Sequence, residues 1–307
     1  MTTLIYVHTE LHLLLWHRAT LLGPAVPGSM IAGVTRLLFI GDIVARPGRH
    51  LVRRALPALV AHHKVDLVIA NVENAAAGFG VTPDIAEEFL EAGVHVMTGG
   101  NHIWDKKEVL PYIANQPRLL RPANYPSAAP GHGRYVAVAS NGIAVGVINL
   151  MGRVFMTAID DPFRAALAEV DSVRLHAPLI FVDFHAEATS EKVAMGWHLD
   201  GRVTAVVGTH THVQTADERV LPQGTAFITD VGMTGAHDGV IGVERSAILQ
   251  RFMTALPQRF EPATENPRLH GVLIDADERT GQATAIERLS LSADDIETLV
   301  ATPVEAH

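Results

Sequence analysis

Arg36-Leu37-Leu38-Phe39-Ile40-Gly41-Asp42 is the stretch that decides the fold. An unbroken apolar run from Leu37 to Ile40, ended abruptly by Gly41-Asp42, is the pattern of a short strand covered on both faces. Working outward, Arg49 to Lys64 repeats apolar residues at helical spacing through Leu51, Val52, Ala55, Leu59 and Val60, and Val65 to Val72 reads as a second strand. A helix from Pro83 to Ala92, stopped by Gly93, and a strand from Val94 to Thr98 complete a βαβαβ plan. Tyr135 to Ala139 and Ile143 to Leu150 flank Asn141-Gly142 and predict a hairpin. Helices at Pro162 to Val170 and Ser190 to Leu199 then alternate with strands at Leu179 to Phe184 and Val203 to Val207. Beyond Gly208 come a strand at Thr225 to Ile228, a helix from Glu244 to Thr254, and a hairpin pairing Gly271 to Asp275 with Ala283 to Ser290. The alternation places the chain in the α/β class. The acidic tail after Leu291 is expected to be peripheral. No internal repeat or Gly/Ser linker divides the chain, so residues 30–307 are expected to form a single domain.

Residues 1–29 are set apart. Leu11 to Leu22 is apolar, but the only charge before Leu11 is Glu10, and a secretory signal needs a positive start. Pro24, Pro27 and Gly28 then interrupt the chain just before Met30. Met30 is read as the true start, or residues 1–29 as a loosely attached extension.

Composition narrows the function classes. The 307 residues are 48% apolar with a formal net charge of -9, and they lack the clustered Lys and Arg that phosphate neutralisation on duplex nucleic acid requires. No apolar run reaches the ~18–20 residues of a membrane span, and a cytoplasmic location is expected. There are seventeen His and no Cys, which excludes disulfides, thiolate zinc sites, iron–sulfur clusters and a thiol nucleophile. Any transition metal must be held by nitrogen and oxygen.

The chemistry collects at strand ends: Gly41-Asp42, Asn71-Val72-Glu73-Asn74, Gly99-Gly100-Asn101-His102, Asp183-Phe184-His185 and Gly208-Thr209-His210-Thr211-His212. In open α/β sheets the carboxyl ends of strands converge on one edge, where ligands bind. Taken singly, each has an ordinary explanation. Asp42 could cap the next helix, Asn101 could mark a turn, and His185 could be a hydrogen-bonded core residue. The His-Thr-His pair is harder to explain that way, because alternate residues of an extended segment point the same way and a metal keeps two facing imidazoles neutral. Two carboxylates, amide oxygens and three imidazoles exceed the four ligands of a tetrahedral zinc and suit two ions bridged by a carboxylate. No P-loop is present, and Gly78-Phe79-Gly80 is not a dinucleotide fingerprint.

These motifs resemble the calcineurin-like metallophosphoesterase superfamily. Glu73-Asn74 in place of the usual Gly-Asp, Gly100 to Asp105, Val182 to Lys192, and Thr229-Asp230-Val231-Gly232-Met233 resemble its YmdB-like branch, which includes bacterial 2',3'-cyclic-nucleotide 2'-phosphodiesterases. The resemblance runs from about Arg36 to Leu291. It implies an α/β/β/α sandwich of two mixed sheets flanked by helices. It also implies two divalent or mixed-valence transition-metal ions, Fe or Mn. Asp42, Glu73, Asn74 and His212 would hold the first, and Glu73, Asn101, His185 and His210 the second, with Glu73 bridging. His102 would be the catalytic residue, acting at the phosphoryl oxygens or the leaving oxygen, with Asp105 either orienting it or capping a helix. Two departures stand out: Ala45 where Gly is expected, and Ala236-His237-Asp238-Gly239 where Pro-Tyr-Asp-Ser is expected, at a place read as the substrate end of the cleft.

Ser190 is read as a helix cap and Glu191 and Lys192 as solvated, with contact to a substrate phosphate as the alternative for Lys192; Arg46 and Arg49 are read as solvated ion pairs, with contact to an anion near the first strand end as the alternative. The expected activity is hydrolysis of a cyclic nucleotide by attack of a metal-bridging hydroxide, giving a 3'-nucleotide from a 2',3'-cyclic one. The expected partner is a small nucleotide or phosphodiester, with no duplex nucleic acid and no membrane, and a homo-oligomer is allowed. The alternatives are a phosphomonoesterase, a metallohydrolase of amides or esters, and a regulatory protein that binds nucleotides without turnover.

Overall fold

A computed structural model describes residues 33–303, so the reading of residues 1–29 lies outside the described residues. The elements follow in order: β1 (Val34–Ile40), β2 (Asp42–Ile43), α1 (Ala45–His63), β3 (Leu67–Asn71), α2 (Pro83–Glu91), β4 (Val96–Thr98), α3 (Val109–Ile113), β5 (Arg134–Val138) and β6 (Ala144–Met151). Then come α4 (Pro162–Arg174), β7 (Leu179–His185), α5 (Thr189–Leu199), β8 (Ala205–Thr209), β9 (Arg219–Val220), β10 (Ala226–Ile228) and β11 (Met233–Ala236). The chain closes with α6 (Arg245–Thr254), β12 (Pro267–Asp277), β13 (Ala283–Ser292) and α7 (Ala293–Ala301).

Two mixed sheets result. One runs β2-β11-β12-β1-β3-β4 with β13 also on β12, and the other runs β5-β6-β7-β8-β10-β9. Strand β1 explains the layering. Leu37 and Phe39 point between the sheets, where Phe39 meets Phe181 of β7 at a ring-centroid distance of 5.2 Å. Leu38 and Ile40 point the other way, onto Val52, Leu56 and Leu59 of α1 and Phe89 of α2. The far face of the second sheet is covered by α4 and α5 through Ala166, Val170, Val173, Met195 and Leu199. The period-two alternation of a strand, with apolar groups wanted on both faces, thus yields the four-layer α/β/β/α sandwich.

Strands β1, β3 and β4 run parallel in one sheet, as do β6, β7, β8 and β10 in the other. Their carboxyl ends open at one edge and are tied across the sheets: Asn71 Nδ2 donates to Asp183 Oδ2 at 3.1 Å, and Gly99 N to Asn149 Oδ1 at 3.1 Å.

Three expectations fail. The tail after Leu291 is not peripheral: Ser292 and Asp295 form a capping box for α7, and Ile296 is buried in the core beside α1. Asp294 and Asp295 sit in the first turn, where the helix dipole favours them. Ser190 is not a cap, because α5 begins at Thr189 with Ala188 as N-cap. Glu191 and Lys192 are buried rather than solvated. Arg49, as expected, forms an ion pair, with Glu88 at 3.1 Å.

Candidate metal centre

The site is best built from its floor. Asp183, buried in β7, accepts from Asn71, from Thr98 Oγ1, and from Thr209 Oγ1 at 2.8 Å. Thr209 spends its proton on Asp183, so its oxygen must accept from His185 Nδ1, 2.9 Å away. That fixes the His185 tautomer and leaves Nε2 as a lone pair. His210 is set in the same way: Nε2 faces Glu187 Oε2 at 3.1 Å, so Nδ1 carries the lone pair. His212 Nδ1 donates to the Ile241 carbonyl at 2.9 Å, which frees its Nε2.

These lone pairs are turned toward one another. His185 Nε2 lies 2.9 Å from Glu73 Oε1, 2.9 Å from His210 Nδ1 and 3.0 Å from Asn101 Oδ1. His185 Nε2, His210 Nδ1 and Asn101 Oδ1 are acceptors, and Glu73 Oε1 is the one atom of the four that can carry a hydrogen, enough for a single one of these contacts. On the other side of Glu73, His212 Nε2 and His185 Nδ1 each stand 3.9 Å from Asp42 Oδ1. Asp42 Oδ1 and Asn74 Oδ1 are buried without a hydrogen-bond partner, while Asn74 Nδ2 is satisfied by the Gly78 carbonyl at 3.0 Å. The N–H sides of the three imidazoles and of the Asn74 amide each have a partner, while Asp42 Oδ1 and Asn74 Oδ1 have none, an arrangement a cation would complete. Glu73, His185 and His210 offer ligand atoms all within 4.8 Å of one another and could hold a metal ion.

The electrostatics agree. Burial drives Asp42 up to about 7 and raises Glu73. Burial also pushes His185 and His210 down to about 3 and lowers His212. Two carboxylates that resist ionising beside imidazoles that resist protonating have no cationic partner among themselves, and a divalent cation would favour the ionised carboxylates and the neutral imidazoles together.

Above this set is a cleft of about 230 Å³, lined by His102 with Val44, Phe79, Ile241, Val243 and Phe260 among others. His102 N donates to Glu73 Oε2 at 3.0 Å, and its ring Nδ1 meets Asp105 Oδ2 at 2.8 Å, so Nε2 is the nitrogen left over. The edge of Phe79 packs on the same ring with centroids 5.0 Å apart. Asp105 therefore orients His102. It caps no helix, since α3 begins only at Val109 with Glu108 as its N-cap.

The His-Thr-His reading needs correction. These residues follow β8 rather than extend it: φ is 98° at His210 and 66° at His212, in the left-handed region. Strand alternation does not aim them. The restraint comes from Asp230, at the end of β10, whose Oδ2 accepts from Thr211 N at 3.1 Å, Thr211 Oγ1 at 2.7 Å and Lys192 Nζ at 2.6 Å. Asp230 and Lys192 are both buried. The strand-end rule could have found Asp230, since it closes the strand at Ile228. Nothing local in the sequence marks Lys192, Glu187 or Thr209. Residues 236–239, expected at the substrate end, do not line the cleft, which is reached instead by Ile241, Gly242 and Val243. Ala45 has φ 52°, the geometry that makes Gly the expected residue there.

A family model described as YmdB-like protein matches residues 38–289. A 2',3'-cyclic-nucleotide 2'-phosphodiesterase of Bacillus subtilis is 51% identical over 259 residues, covering 84% of this chain and 98% of the relative. A crystal structure described as a novel phosphatase of Mycoplasma pneumoniae superposes with a TM-score of 0.80 at 33% identity, covering 85% of this chain and 95% of the other. A hypothetical protein of Thermus thermophilus superposes with a TM-score of 0.79 at 42% identity, covering 84% and 99%. With the family model spanning most of the described residues, this chain belongs to the YmdB-like family.

Proposed function

We propose that the protein is a phosphodiesterase that uses two transition-metal ions, Fe or Mn, to hydrolyse 2',3'-cyclic nucleotides to 3'-nucleotides. The observation that carries this reading is the ring of unshared lone pairs on both sides of Glu73. Asp42, Glu73, Asn74 and His212 would hold the first ion, and Glu73, Asn101, His185 and His210 the second. Such ions, when bound, supply Lewis acidity and a nucleophile at neutral pH.

The chain's own residues do the rest. His102, turned into the cleft and fixed through Nδ1 by Asp105, places Nε2 where the departing 2'-oxygen can take a proton. Phe79 and Phe260 give the cleft apolar walls suited to a nucleoside. The formal net charge of -9 favours a small substrate over duplex nucleic acid, and no helix of the described residues is long and apolar enough to cross a membrane. A cytoplasmic role on a small nucleotide fits both.

The test is turnover of 2',3'-cyclic AMP and of a phosphomonoester with Mn²⁺, comparing the wild type with His102→Ala. The expected result is preference for the cyclic diester and a kcat lowered ~10²–10⁴-fold in the variant at unchanged metal content. Preferred hydrolysis of the monoester, or full turnover in the variant, would reject the reading.

A further inference from the structure

We propose that the Glu187 carboxylate is a charge filter, which makes the cleft favour a phosphodiester monoanion over a phosphomonoester dianion. The proposal rests on the phosphodiesterase reading above and names what that site rejects. Proteins that take up phosphate ordinarily meet it with Arg or Lys. Among the described residues that line this cleft there is neither, and the carboxylates there are those of Glu73, Glu187 and Glu261.

The three differ in what they face. Glu73 belongs to the donor set. Glu261 is an exposed residue paired with Arg259 at 2.9 Å, which offsets its charge. Glu187 lies two residues beyond the end of β7, and its ionic neighbour is His210 Nε2 at 3.1 Å. An imidazole that donates through Nε2 and keeps its lone pair on Nδ1 is neutral, so this bond satisfies one Glu187 oxygen and leaves the carboxylate its charge. A Gln in this place would accept the same hydrogen bond. Orienting His210 therefore does not call for an acid, and the surplus negative charge stands on the wall of the cleft.

The reaction gives that charge a consequence. Hydrolysis of 2',3'-cyclic AMP breaks the phosphorus–O2' bond, puts the water oxygen on phosphorus and returns one proton to O2'. The second proton of the water leaves from the new monoester, whose second pKa is about 6. One negative charge enters the cleft and two must depart. At a separation of ~6–8 Å and an effective dielectric of about 40, one additional unit charge near Glu187 weakens binding about five- to tenfold. The filter thus loosens the hold on the product as well as on competing monoesters.

The experiment compares the wild type, Glu187→Gln and Glu187→Asp as metal-loaded full chains at about pH 8, where a monoester is a dianion. The substrates are methyl p-nitrophenyl phosphate and p-nitrophenyl phosphate, which share a leaving group and differ by one charge. The readout is the ratio of their kcat/KM values, from which the fraction of loaded protein cancels. Glu187→Gln is expected to move that ratio about five- to tenfold toward the monoester, and to tighten calorimetric binding of 3'-AMP by a like factor with adenosine binding unchanged. Glu187→Asp, which keeps the charge and alters the reach, is expected to keep the wild-type ratio whatever its activity. Where Glu187→Gln turns over too slowly for a ratio, the 3'-AMP affinity decides. An unchanged ratio in Glu187→Gln, an equal shift in Glu187→Asp, or 3'-AMP and adenosine affinities that move together would overturn the filter. Absence of 2',3'-cyclic AMP turnover in the wild type would instead reject the phosphodiesterase reading, and the 3'-AMP affinities would still decide the filter.

Discussion

Asp42 and Asp230 end neighbouring parts of the same edge and are equally buried, yet they live in opposite circumstances. Asp230 is saturated: Lys192, the Thr211 amide and hydroxyl, and the Gly232 amide at 2.8 Å account for both its oxygens. Asp42 receives only the His210 amide at 3.2 Å on Oδ2, and Oδ1 has no partner. A buried carboxylate left unsatisfied is expensive, and it persists where a ligand completes it. One aspartate is closed by its own partners and the other keeps an oxygen without one, and burial alone does not distinguish them.

The strongest way to break that contrast is to remove the group at its centre. Glu73→Ala is expected to lower kcat at least ~10³-fold and to leave protein with far less bound metal by elemental analysis, because it takes one oxygen from each donor set. Retained metal with lost activity would show that Glu73 acts on substrate instead.

On the scaffold side, Lys192→Met strands a buried Asp230 charge. It is expected to cost about 3–5 kcal/mol in denaturant unfolding, whereas Lys192→Met combined with Asp230→Leu should recover part of that loss. If the double variant is no better than the single one, the pair does more than neutralise a charge, and anchoring of Thr211 is the dominant effect.

Proton linkage sharpens the comparison further. Asp42, driven up to about 7, holds a proton below that pH that a cation must displace, and burial raises Glu73 in the same direction, whereas His185 and His210, near 3, are already neutral. Lowering the pH below about 7 should therefore weaken Mn²⁺ binding by ~10-fold per unit, as the Asp42 proton is exchanged. Calorimetry in buffers of different ionisation enthalpy measures this. Binding that is flat from about pH 5.5 to 7 would contradict the assigned protonation.

The smallest effect concerns the backbone under the site. Ala45→Gly relieves a left-handed alanine, and a gain of up to about 1 kcal/mol is expected, seen as a Tm rise of a few degrees. A loss of stability would mean that the buried methyl contributes more than the strain costs.

Much of this was legible along the chain. The buried strand before Gly41-Asp42, the βαβ alternation and the polar strand ends follow from periodicities of two and 3.6 residues, which are local properties. So did the α/β class and the residues that meet around Glu73, because the carboxyl ends of parallel strands must share an edge. The family resemblance added the layered sandwich. The short elements were not legible. Strand β11 is Met-Thr-Gly-Ala, with no strand signature of its own, and it exists because β2 and β12 lie on either side of it. Helix α7 was hidden by reading acidity as solvation. The tautomers of His185 and His210, the Lys192–Asp230 pair and the left-handed turns at His210 and His212 belong to tertiary structure alone. Each depends on a partner distant in sequence, such as Thr209 for His185 at 24 residues or Asp230 for Lys192 at 38. The sequence by itself determined which donors could reach the edge. Only the packing of the two sheets decided which face of each donor was left without a proton, and that remainder is what a metal can bind.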